Sequence, residues 1–319
     1  MSATVIVNPA SSGGATGRQW PVIAQKLEAG VGPFETKLTQ APGHATTLAR
    51  HALLAGADRI IVVGGDGTIN ETLNGFFAGE DAGGGLISPD AVLGVIDAGT
   101  GGDFSHNLGL PKGLNSQISI LRAGHTRPIT MGLARFNNLA GVPEQRYFGV
   151  LCSFGISSAL NHFVNQSPRL KRYGASLAFA VAAIVTMFRY SNVPVAIDVD
   201  GENTLTGPSL LASACVGPRV GGGMKMAPQA NVHDPILDFA IGGDIRLLKR
   251  LMLFSGVYSG AHIAQPNVTY VKGHKLEAKA LAQDDIVVDM DGDIVGTLPL
   301  TLQTAHQSIR IICDPVPPS

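Results

Sequence analysis

The segment RIIVVGGDGTINETLNG, residues 59–75, constrains the fold more strongly than any other part of the sequence. An apolar run typical of a buried strand ends in a glycine-rich turn, and the pattern after the turn predicts a helix that begins near Ile69. Gly64, Gly65 and Gly67 allow the backbone to approach an anion without a Cβ clash, and the N–H groups at a helix start attract negative charge. The segment therefore predicts a strand, a turn and a helix that together bind a phosphate group.

Two polar residues of this turn have side chains suited to the same task. Asp66 is placed to reach a Mg²⁺ ion bound to phosphate, and Thr68 is placed to cap the helix or to hold a phosphate oxygen. The turn matches neither the GxxxxGK[ST] loop, because no lysine follows the glycines, nor the GxGxxG loop. A plain tight turn with a surface aspartate is the alternative, but so many special-backbone residues in one turn argue against it.

Short apolar runs alternate with helical patterns from the N-terminus to about residue 127. This alternation is typical of βαβ units and of a parallel sheet. Gly30, Gly56 and Gly124 each follow a periodic segment, where glycine can end a helix with a positive φ. The predicted strands cover residues 4–7, 34–38, 60–63 and 91–96, and the predicted helices cover residues 21–29, 44–55, 69–77 and 114–123. The first domain is therefore predicted to be α/β.

The alternation stops after residue 128, and β-rich runs follow with few helices between them. The predicted strands are 149–152, 193–199, 210–216, 236–241, 268–271, 286–290 and 297–302, and the predicted helices are 177–190 and 247–254. This pattern indicates a second domain with a β-sandwich-like architecture. Its start at residue 129 is inferred from the change of pattern alone.

The composition excludes several classes of protein. The 319 residues suit about two domains of ~150 residues each. A hydrophobic content of 45% and a net charge of −1 exclude a disordered chain, because enough apolar surface is available for burial. The balance of 23 basic and 24 acidic residues argues against a general nucleic-acid-binding protein, which needs a basic excess to neutralise phosphates.

Cysteine usage and hydropathy predict the compartment. Cys152, Cys215 and Cys313 are widely spaced and form no CxxC pair, which favours buried thiols in a reducing cytosol over disulfides or a zinc site. The N-terminal residues lack the basic and apolar regions of a signal peptide, so we expect a cytoplasmic protein. The longest apolar stretch, residues 173–188, is shorter than the ~20 residues that span a bilayer. We interpret it as a buried helix, with a helix facing a membrane as the alternative.

Six motifs follow one another along nearly the whole chain. They are VNPASSGG (7–14), LTQAPGHA (38–45), GGDGTINETLNG (64–75), IDAGTGGDFSHNLGLP (96–111), MAPQANVHDPILDFAI (226–241) and DMDGDIVGTLP (289–299). In this order they resemble the diacylglycerol-kinase-type lipid kinases, a family that includes sphingosine and ceramide kinases and is related to NAD kinase and phosphofructokinase. Asn70, Glu71, Asn74 and Gly75 make the third motif more similar to lipid kinases than to NAD kinases.

The resemblance implies an ATP-dependent lipid kinase that binds Mg²⁺ and the nucleotide in a cleft between two domains. A phosphofructokinase/NAD-kinase-like parallel-sheet domain would span residues 1–128, with residues from about 304 to 319 returning to it, and a β-rich lipid-acceptor domain would span residues 129–303. The residues implied to line the nucleotide site are Asn8, Ser12, Gly13, Thr39, Gly64, Gly65, Asp66, Gly67, Thr68, Ile69, Asn70, Glu71 and Thr100. Asp234 would hold a structural Mg²⁺ together with backbone oxygens near Asn231 and Ile236.

The last motif carries two carboxylates, Asp291 and Asp293. An alcohol that attacks a phosphoryl group needs a positioned base, and a carboxylate can serve. By resemblance, Asp293 stands where the family has a glutamate and takes the proton from the lipid hydroxyl, whereas Asp66 is credited with this role in some relatives. A hairpin turn with solvated acids is the structural alternative for this motif.

The sequence departs from the family pattern at several motif positions. Gly102 stands in place of asparagine, Asp97 and Ala98 replace a proline–leucine or similar pair, His106 replaces arginine, and Pro235 replaces glycine. Two alternatives therefore stay open, an NAD-kinase-like small-molecule kinase and a catalytically weak nucleotide-binding regulatory protein. The implied partner is a lipid acceptor at a membrane surface, reached by transient association without a transmembrane segment. Nucleic acid is not an expected partner, and a homodimer is left open.

Overall fold

The computed structural model describes residues 3–79, 84–99, 101–165, 175–282 and 285–315. The chain separates into two compact units. The first consists of Met1–Met131, Asn231–Asp234 and Ala305–Ser319, and the second of Gly132–Ala230 and Pro235–Thr304. Each unit is built on its own β-sheet.

Strands alternate with helices in the first unit, whereas strands dominate the second. The strands are β1 (Ala3–Val7), β2 (Phe34–Leu38), β3 (Arg59–Gly64), β4 (Val92–Asp97), β5 (Thr126–Ile129), β6 (Gly132–Asn138), β7 (Pro143–Phe148), β8 (Leu151–Gly155), β9 (Val193–Val199), β10 (Glu202–Ser209), β11 (Leu211–Cys215), β12 (Leu237–Gly242), β13 (Val268–Gly273), β14 (Lys275–Ala280), β15 (Val287–Met290), β16 (Asp293–Thr304) and β17 (Ile309–Ile312). The helices are α1 (Ser11–Val31), α2 (His44–Leu54), α3 (Asp66–Gly75), α4 (Asp103–Asn107), α5 (Leu114–Ala123), α6 (Ile156–Asn165), α7 (Ala175–Arg189) and α8 (Leu247–Ser259).

The first unit contains a six-stranded sheet with the order β2-β1-β3-β4-β17-β5. Neighbouring strands are parallel, except that β5 runs antiparallel to β17. β1 and β3 lie inside the sheet, and their consecutive apolar residues are completely buried, as expected for parallel strands covered on both faces. β2 is an edge strand and exposes Glu35 and Thr36. The α/β fold expected from the alternating pattern is confirmed.

The core of this unit joins the sheet to two helices. Leu27 of α1 and Leu121 of α5 pack with Val5, Ile61 and Ile96 in one apolar cluster. Within each helix or strand, the apolar residues of this cluster lie on one face, so the periodicity of the sequence was sufficient to predict that they are buried. Burial of this cluster fixes the strands whose C-terminal ends carry the polar loops described below.

Helix α3 begins earlier than the apolar periodicity predicted. Its first residue is Asp66 rather than a residue near Ile69, because Gly65 adopts an extended backbone and acts as the N-cap. The glycine-rich turn is therefore shorter than expected. Most of the GGDGT motif belongs to the first turn of the helix itself.

The second unit contains an eleven-stranded antiparallel sheet. Its main path is β10-β9-β14-β16-β15-β8-β11-β12-β13, and β6 joins it by pairing with β16 and β7. The first part of β16 pairs with β15 and the later part with β14, while β6 lies along its other edge. The predicted β-sandwich-like second domain is confirmed. Four strands of this sheet, β6, β7, β10 and β14, were not predicted, because charged or polar residues interrupt the apolar runs from which strands were inferred.

Helix α7 covers most of the long apolar stretch and has 15 residues. Among the residues that the structure describes, no helix is long and apolar enough to cross a membrane. All three cysteines fall within the described ranges, and each is a buried free thiol, as predicted.

Candidate functional site

The first candidate site lies at one edge of the parallel sheet. β1, β2, β3 and β4 run in the same direction, so the loops that follow them meet at the edge formed by their C-terminal ends. The chain passes from β1 to β2 on one side and then returns to β3 on the other side of β1. The space between β1 and β3 is therefore a topological switch point, where open α/β sheets bind ligands.

Hydrogen bonds connect three of these loops. Asn8, after β1, donates from Nδ2 to Thr68 Oγ1 over 2.9 Å. Ser12 donates from Oγ to the carbonyl oxygen of Ala98, after β4, over 2.6 Å. The structure thus brings Asn8, Ser12 and Thr68 to one edge of the sheet and holds the loops after β1, β3 and β4 together.

The glycines of this edge fall into two groups. A Cβ on Gly64 would lie 2.7 Å from the nearest side-chain atom, and a Cβ on Gly65 would lie 3.1 Å from Gly99 Cα, so close packing requires glycine at both positions. A Cβ on Gly13 or Gly67 would meet nothing within 4 Å, so these two positions leave open space beside the backbone. Gly67 lies in the first turn of α3, where N–H groups have no partner within the helix. Open backbone at a helix start fits a phosphate group.

Asp66 has a fixed orientation at this edge. Its Oδ2 accepts the N–H of Gly102 over 2.9 Å, and its Oδ1 accepts the N–H of Phe104 over 3.1 Å. Both donors lie at the start of α4, so the carboxylate caps that short helix. Each carboxylate oxygen can accept more than one hydrogen bond or bind a cation as well, so Asp66 retains binding capacity.

Asp97 and Gly102, two of the departures from the family pattern, are in contact. Gly102 has a φ of +70°, and a Cβ at this position would lie 2.6 Å from Asp97 Oδ2. Asp97 Oδ1 accepts the N–H of Gly99 over 2.9 Å. Burial raises the pKa of Asp97 more than this N–H lowers it, and the nearby Asp66 carboxylate raises it further. The Asp97 side chain occupies space that a side chain at position 102 would need, so we expect the two departures to depend on each other.

Glu71, which the resemblance assigns to the nucleotide site, caps a neighbouring helix. Its two carboxylate oxygens accept the N–H of Gly43 over 2.7 Å and the N–H of Ala45 over 3.1 Å, at the start of α2. Its carbonyl oxygen accepts the hydroxyl of Thr46 over 2.8 Å. The carboxylate therefore joins α3 to α2.

The remaining residues assigned to the nucleotide site have varied surroundings. The side chain of Ile69 is completely buried, so only its backbone is available to a ligand. Thr39 follows β2 directly and lies at the same edge of the sheet. Asn70 lies on α3, and its carbonyl oxygen accepts a side-chain N–H from the next helical turn over 2.9 Å. Thr100 lies outside the described residues.

The two carboxylates of the MDGD motif have separate surroundings in the second unit. Asp291 and Gly292 form the turn between β15 and β16 with φ values of +47° and +95°. The Asp291 carboxylate accepts three backbone N–H groups from residues 149–151 over 2.8–3.1 Å. Asp293 is exposed at the start of β16. Desolvation raises the pKa of Asp293, and the nearby Arg146 lowers it in part. The Asp291 carboxylate thus holds residues 149–151 in place, and Asp293 is the more exposed of the two carboxylates.

The loop assigned to a structural Mg²⁺ is a hydrogen-bonded turn. Asn231 donates from Nδ2 to Asp234 Oδ1 over 3.2 Å, and its carbonyl oxygen accepts the N–H of Asp234 over 2.9 Å. Thr130 donates to the carbonyl oxygen of Asp234. Ile236 belongs to the second unit. Within the described ranges, His, Cys, Asp and Glu residues form no group of three suited to a metal, so Mg²⁺ at this loop stays a prediction.

The second unit also contains an apolar cavity that the sequence analysis did not predict. It has a volume of about 130 Å³ and lies among α6, α7, α8 and the strands β11 and β12. Apolar side chains form most of its wall, among them Leu160, Met187, Leu211, Ala240, Leu253 and Phe254. They are buried or half-buried apolar residues from five separate elements, so no local motif marks them. The size is close to that of apolar cavities of ~150 Å³ that stay dry and bind small apolar ligands.

Comparison with known proteins gives this arrangement a context. Residues 2–134 match the diacylglycerol kinase catalytic domain, and residues 150–313 match the YegS C-terminal NAD kinase beta sandwich-like domain. The chain is 28% identical over 310 residues to a diacylglycerol kinase of Bacillus subtilis (strain 168), covering 97% of this chain and 95% of that protein. It is 28% identical over 312 residues to a diacylglycerol kinase of Staphylococcus carnosus (strain TM300), covering 97% and 94%.

The fold is also that of a solved structure. A crystal structure of a diacylglycerol kinase from Bacillus anthracis str. Sterne superposes with a TM-score of 0.75 at 22% identity, covering 98% of this chain and 97% of that one. The two domain matches cover most of the strands of both sheets, in the order in which the motifs occur. The chain therefore belongs to the diacylglycerol kinase family, in the form that pairs the catalytic domain with the YegS-type C-terminal domain.

Proposed function

We propose that the protein is a lipid kinase that transfers the γ-phosphoryl group of ATP, with Mg²⁺, to a hydroxyl of diacylglycerol or a related long-chain alcohol. The observation that supports a lipid substrate is the apolar cavity in the second unit. A kinase that acts on a polar small molecule needs no apolar cavity to accommodate a hydrocarbon group. The names of the relatives from B. subtilis and S. carnosus support the same substrate class. We further propose that the two units correspond to the predicted nucleotide-binding and acceptor domains.

The loops at the edge of the parallel sheet support ATP as the phosphoryl donor. The open backbone at Gly13 and Gly67 leaves room for phosphate oxygens, and Ser12 and Thr68 lie on the same connected loops. Phosphoryl transfer depends chiefly on positioning and on charge stabilisation, which backbone N–H groups and Mg²⁺ supply. Asp66, held by two backbone N–H groups, would bind the Mg²⁺ that accompanies ATP.

Asp293 is our proposed base for the acceptor hydroxyl, with Asp66 as the alternative. Asp66→Asn should abolish turnover and weaken Mg·ATP binding together. Asp293→Asn should lower kcat by about 10²–10⁴-fold and leave Mg·ATP affinity nearly unchanged. Asp293→Glu should retain or raise activity, because it restores the side-chain length of the family. Turnover of Asp293→Asn at the wild-type rate would assign the base to Asp66 instead.

The reaction itself is tested by incubating the protein with labelled ATP, Mg²⁺ and a mixed lipid extract. A labelled product that partitions into the organic phase is expected. Labelled NADP or sugar phosphate without labelled lipid would favour the NAD-kinase-like alternative. Binding of ATP in calorimetry without transfer to any lipid would favour a nucleotide-binding regulatory protein.

We also propose that the second unit contacts the membrane through α7 and α8. Both helices line the cavity with one face, and on other faces they expose Ile184 (51%), Phe188 (60%), Leu248 (77%) and Met252 (66%). Apolar side chains clustered on exposed helix faces typically mark an interaction site. Apart from the buried Arg250, the segments 175–189 and 246–259 contain three basic residues, all exposed, and no acidic residue, which suits an anionic lipid surface.

This contact should be weak and transient. Sedimentation with anionic liposomes should recruit a modest fraction of the protein and lose it at high salt. The double variant with Leu248→Ser and Met252→Ser should reduce recruitment, whereas Leu54→Ser, at a 67% exposed position in the first unit, should not. Tight binding that resists salt would contradict a transient contact and would point to an inserted helix.

A further inference from the structure

Strand β2 forms one outer edge of the parallel sheet in the first unit. It pairs with β1 on one side, and in the described part of the chain no strand pairs with its other side. Glu35, Thr36 and Leu38 are exposed, so another strand can reach this edge. An unpaired edge is a place where a further strand can add to a sheet. The residues of β2 therefore decide which strand fits there.

The hydrogen bonds to β1 show which backbone groups of β2 face outward. Thr39 donates its N–H to the carbonyl oxygen of Val7 over 2.9 Å, so this N–H faces β1. Backbone groups alternate in direction along a strand, so every second residue back along β2 also faces β1. The residues whose N–H and C=O groups point to the open edge instead are Phe34, Thr36 and Leu38.

The side chains of β2 are complementary to a second copy of the same strand. When two copies run antiparallel about a twofold axis at Thr36, Glu35 of one chain lies opposite Lys37 of the other. Phe34 of one chain then lies opposite Leu38 of the other. Opposite charges and apolar side chains placed directly across a strand pair stabilise it. The same contacts form in both directions, as a symmetric dimer requires.

The backbone favours the same register. Thr36 directs its N–H and C=O groups to the open edge, so the two copies of Thr36 can exchange both hydrogen bonds at the centre. A register centred on Glu35 or on Lys37 would place two like charges opposite each other, which destabilises a strand pair. Charged residues on an edge strand usually discourage pairing. Here the charges alternate in sign, so they favour a second copy of β2.

We propose that the protein forms a twofold-symmetric dimer in which the two β2 strands pair antiparallel at Thr36 and join the two six-stranded sheets into one. Leu38, which is 48% exposed in one chain, is then covered by Phe34 of the other chain. The ring of Phe34 is supported from behind by that of Trp20, with the two centroids 6.4 Å apart. The dimer does not depend on the proposed kinase activity, because the paired residues end before Thr39.

Sedimentation equilibrium of the full chain tests this dimer. The wild-type protein should show a mass that rises with concentration toward twice that of one chain. Glu35→Lys and Lys37→Glu should each raise the dissociation constant of the dimer by about 10-fold or more, because each places like charges opposite each other twice. An equimolar mixture of the two variants should dimerise again, since every charge then faces the opposite sign. The double variant should also dimerise, for the same reason.

Glu277→Lys is the matched control. Glu277 forms the same kind of ion pair with Lys275, two positions away and over 2.8 Å, but its strand β14 has neighbours on both sides. This variant should dimerise as the wild-type protein does. Thr36→Pro removes an N–H that makes no bond to β1, so it should abolish the dimer and keep the circular dichroism spectrum of the wild-type protein.

Three results would overturn the inference. Wild-type protein that stays monomeric at about 0.1 mM would exclude a specific dimer. A dimer that Glu35→Lys and Lys37→Glu leave unchanged would place the interface elsewhere. Loss of the dimer in both single variants without recovery in their mixture would exclude the register centred on Thr36. Lipid phosphorylation is measured separately, so its presence or absence does not alter these outcomes.

Discussion

Replacing Gly102 by alanine tests whether the two departures from the family pattern depend on each other. The new Cβ would lie 2.6 Å from Asp97 Oδ2, and the backbone at this position has a φ of +70°. Two separate costs therefore arise, one from the left-handed backbone and one from the contact with Asp97. Only the second should vanish when Asp97 is shortened to alanine.

The two costs can be given magnitudes. A non-glycine residue in the left-handed region costs about 1–2 kcal/mol. Overpacking of a filled site costs about 1–3 kcal/mol. Gly102→Ala should therefore lower the free energy of unfolding by about 2–5 kcal/mol in the wild-type background and by about 1–2 kcal/mol in an Asp97→Ala background. The coupling energy of the double-mutant cycle should be about 1–3 kcal/mol.

Urea unfolding followed by tryptophan fluorescence measures this cycle in the relevant unit. Trp20 is the single tryptophan of the chain and lies in α1, with its ring 6.4 Å from that of Phe34. Its fluorescence therefore reports on the unit that contains Gly102 and Asp97. If Gly102→Ala cost the same in both backgrounds to within about 0.5 kcal/mol, the contact between the two positions would not be the reason for glycine.

Three further predictions concern stability. Glu71→Ala should lower the free energy of unfolding by about 1–3 kcal/mol, because it removes the cap of α2, whereas exposed Glu28→Ala should change it by less than about 0.5 kcal/mol in the same fluorescence assay. Arg250→Met should lower the free energy of unfolding, measured by circular dichroism melts, by about 3 kcal/mol or more, because buried carbonyl oxygens lose their hydrogen-bond donor. Arg246→Met, at an exposed position, should leave it nearly unchanged. Burial lowers the pKa of His262 below its unfolded value near 6.5, so on acidification the unfolded state binds the extra proton before the folded state does. Acidification below about pH 6.5 should therefore lower the free energy of unfolding of the wild-type protein more than that of His262→Gln. Parallel dependence of the two free energies on pH would contradict this.

Local signals in the sequence determined much of the first unit. Strands β1 and β3 are continuous apolar runs that the sequence predicted directly. The glycines at 64 and 65 were predicted to let the backbone approach an anion, whereas the structure shows that they allow close packing against Thr68 and Gly99. The order of strands and helices then fixed a parallel sheet, whose C-terminal edge must collect the polar loops. Both features depend on residues that are near one another along the chain.

The roles of individual carboxylates depended on the tertiary structure. The sequence places Asp291 and Asp293 side by side, but only the pairing of β15 with β8 gives Asp291 its three backbone donors and leaves Asp293 exposed. Glu71 lies within the phosphate-binding motif, but its carboxylate faces α2, whose first residues precede it by more than twenty positions. A motif specifies which residue is present and not which of its neighbours its side chain will bind.

The apolar cavity, and the hydrogen bonds that the buried Asp289 carboxylate accepts from Ser153, Ser158 and Asn161, were decided by the tertiary structure alone. Ser153 and Asp289 are 136 positions apart and meet because β8 pairs with β15, and Ser157 reaches the cavity because α6 begins directly after β8. Periodicity could show only that these segments form strands or helices with one apolar face. The packing of distant segments determines which buried polar groups bond to each other and where side chains leave a cavity. Hydrogen bonds and van der Waals contacts act over a few ångströms in space, so they join residues that are far apart along the chain and cannot be predicted from the local sequence.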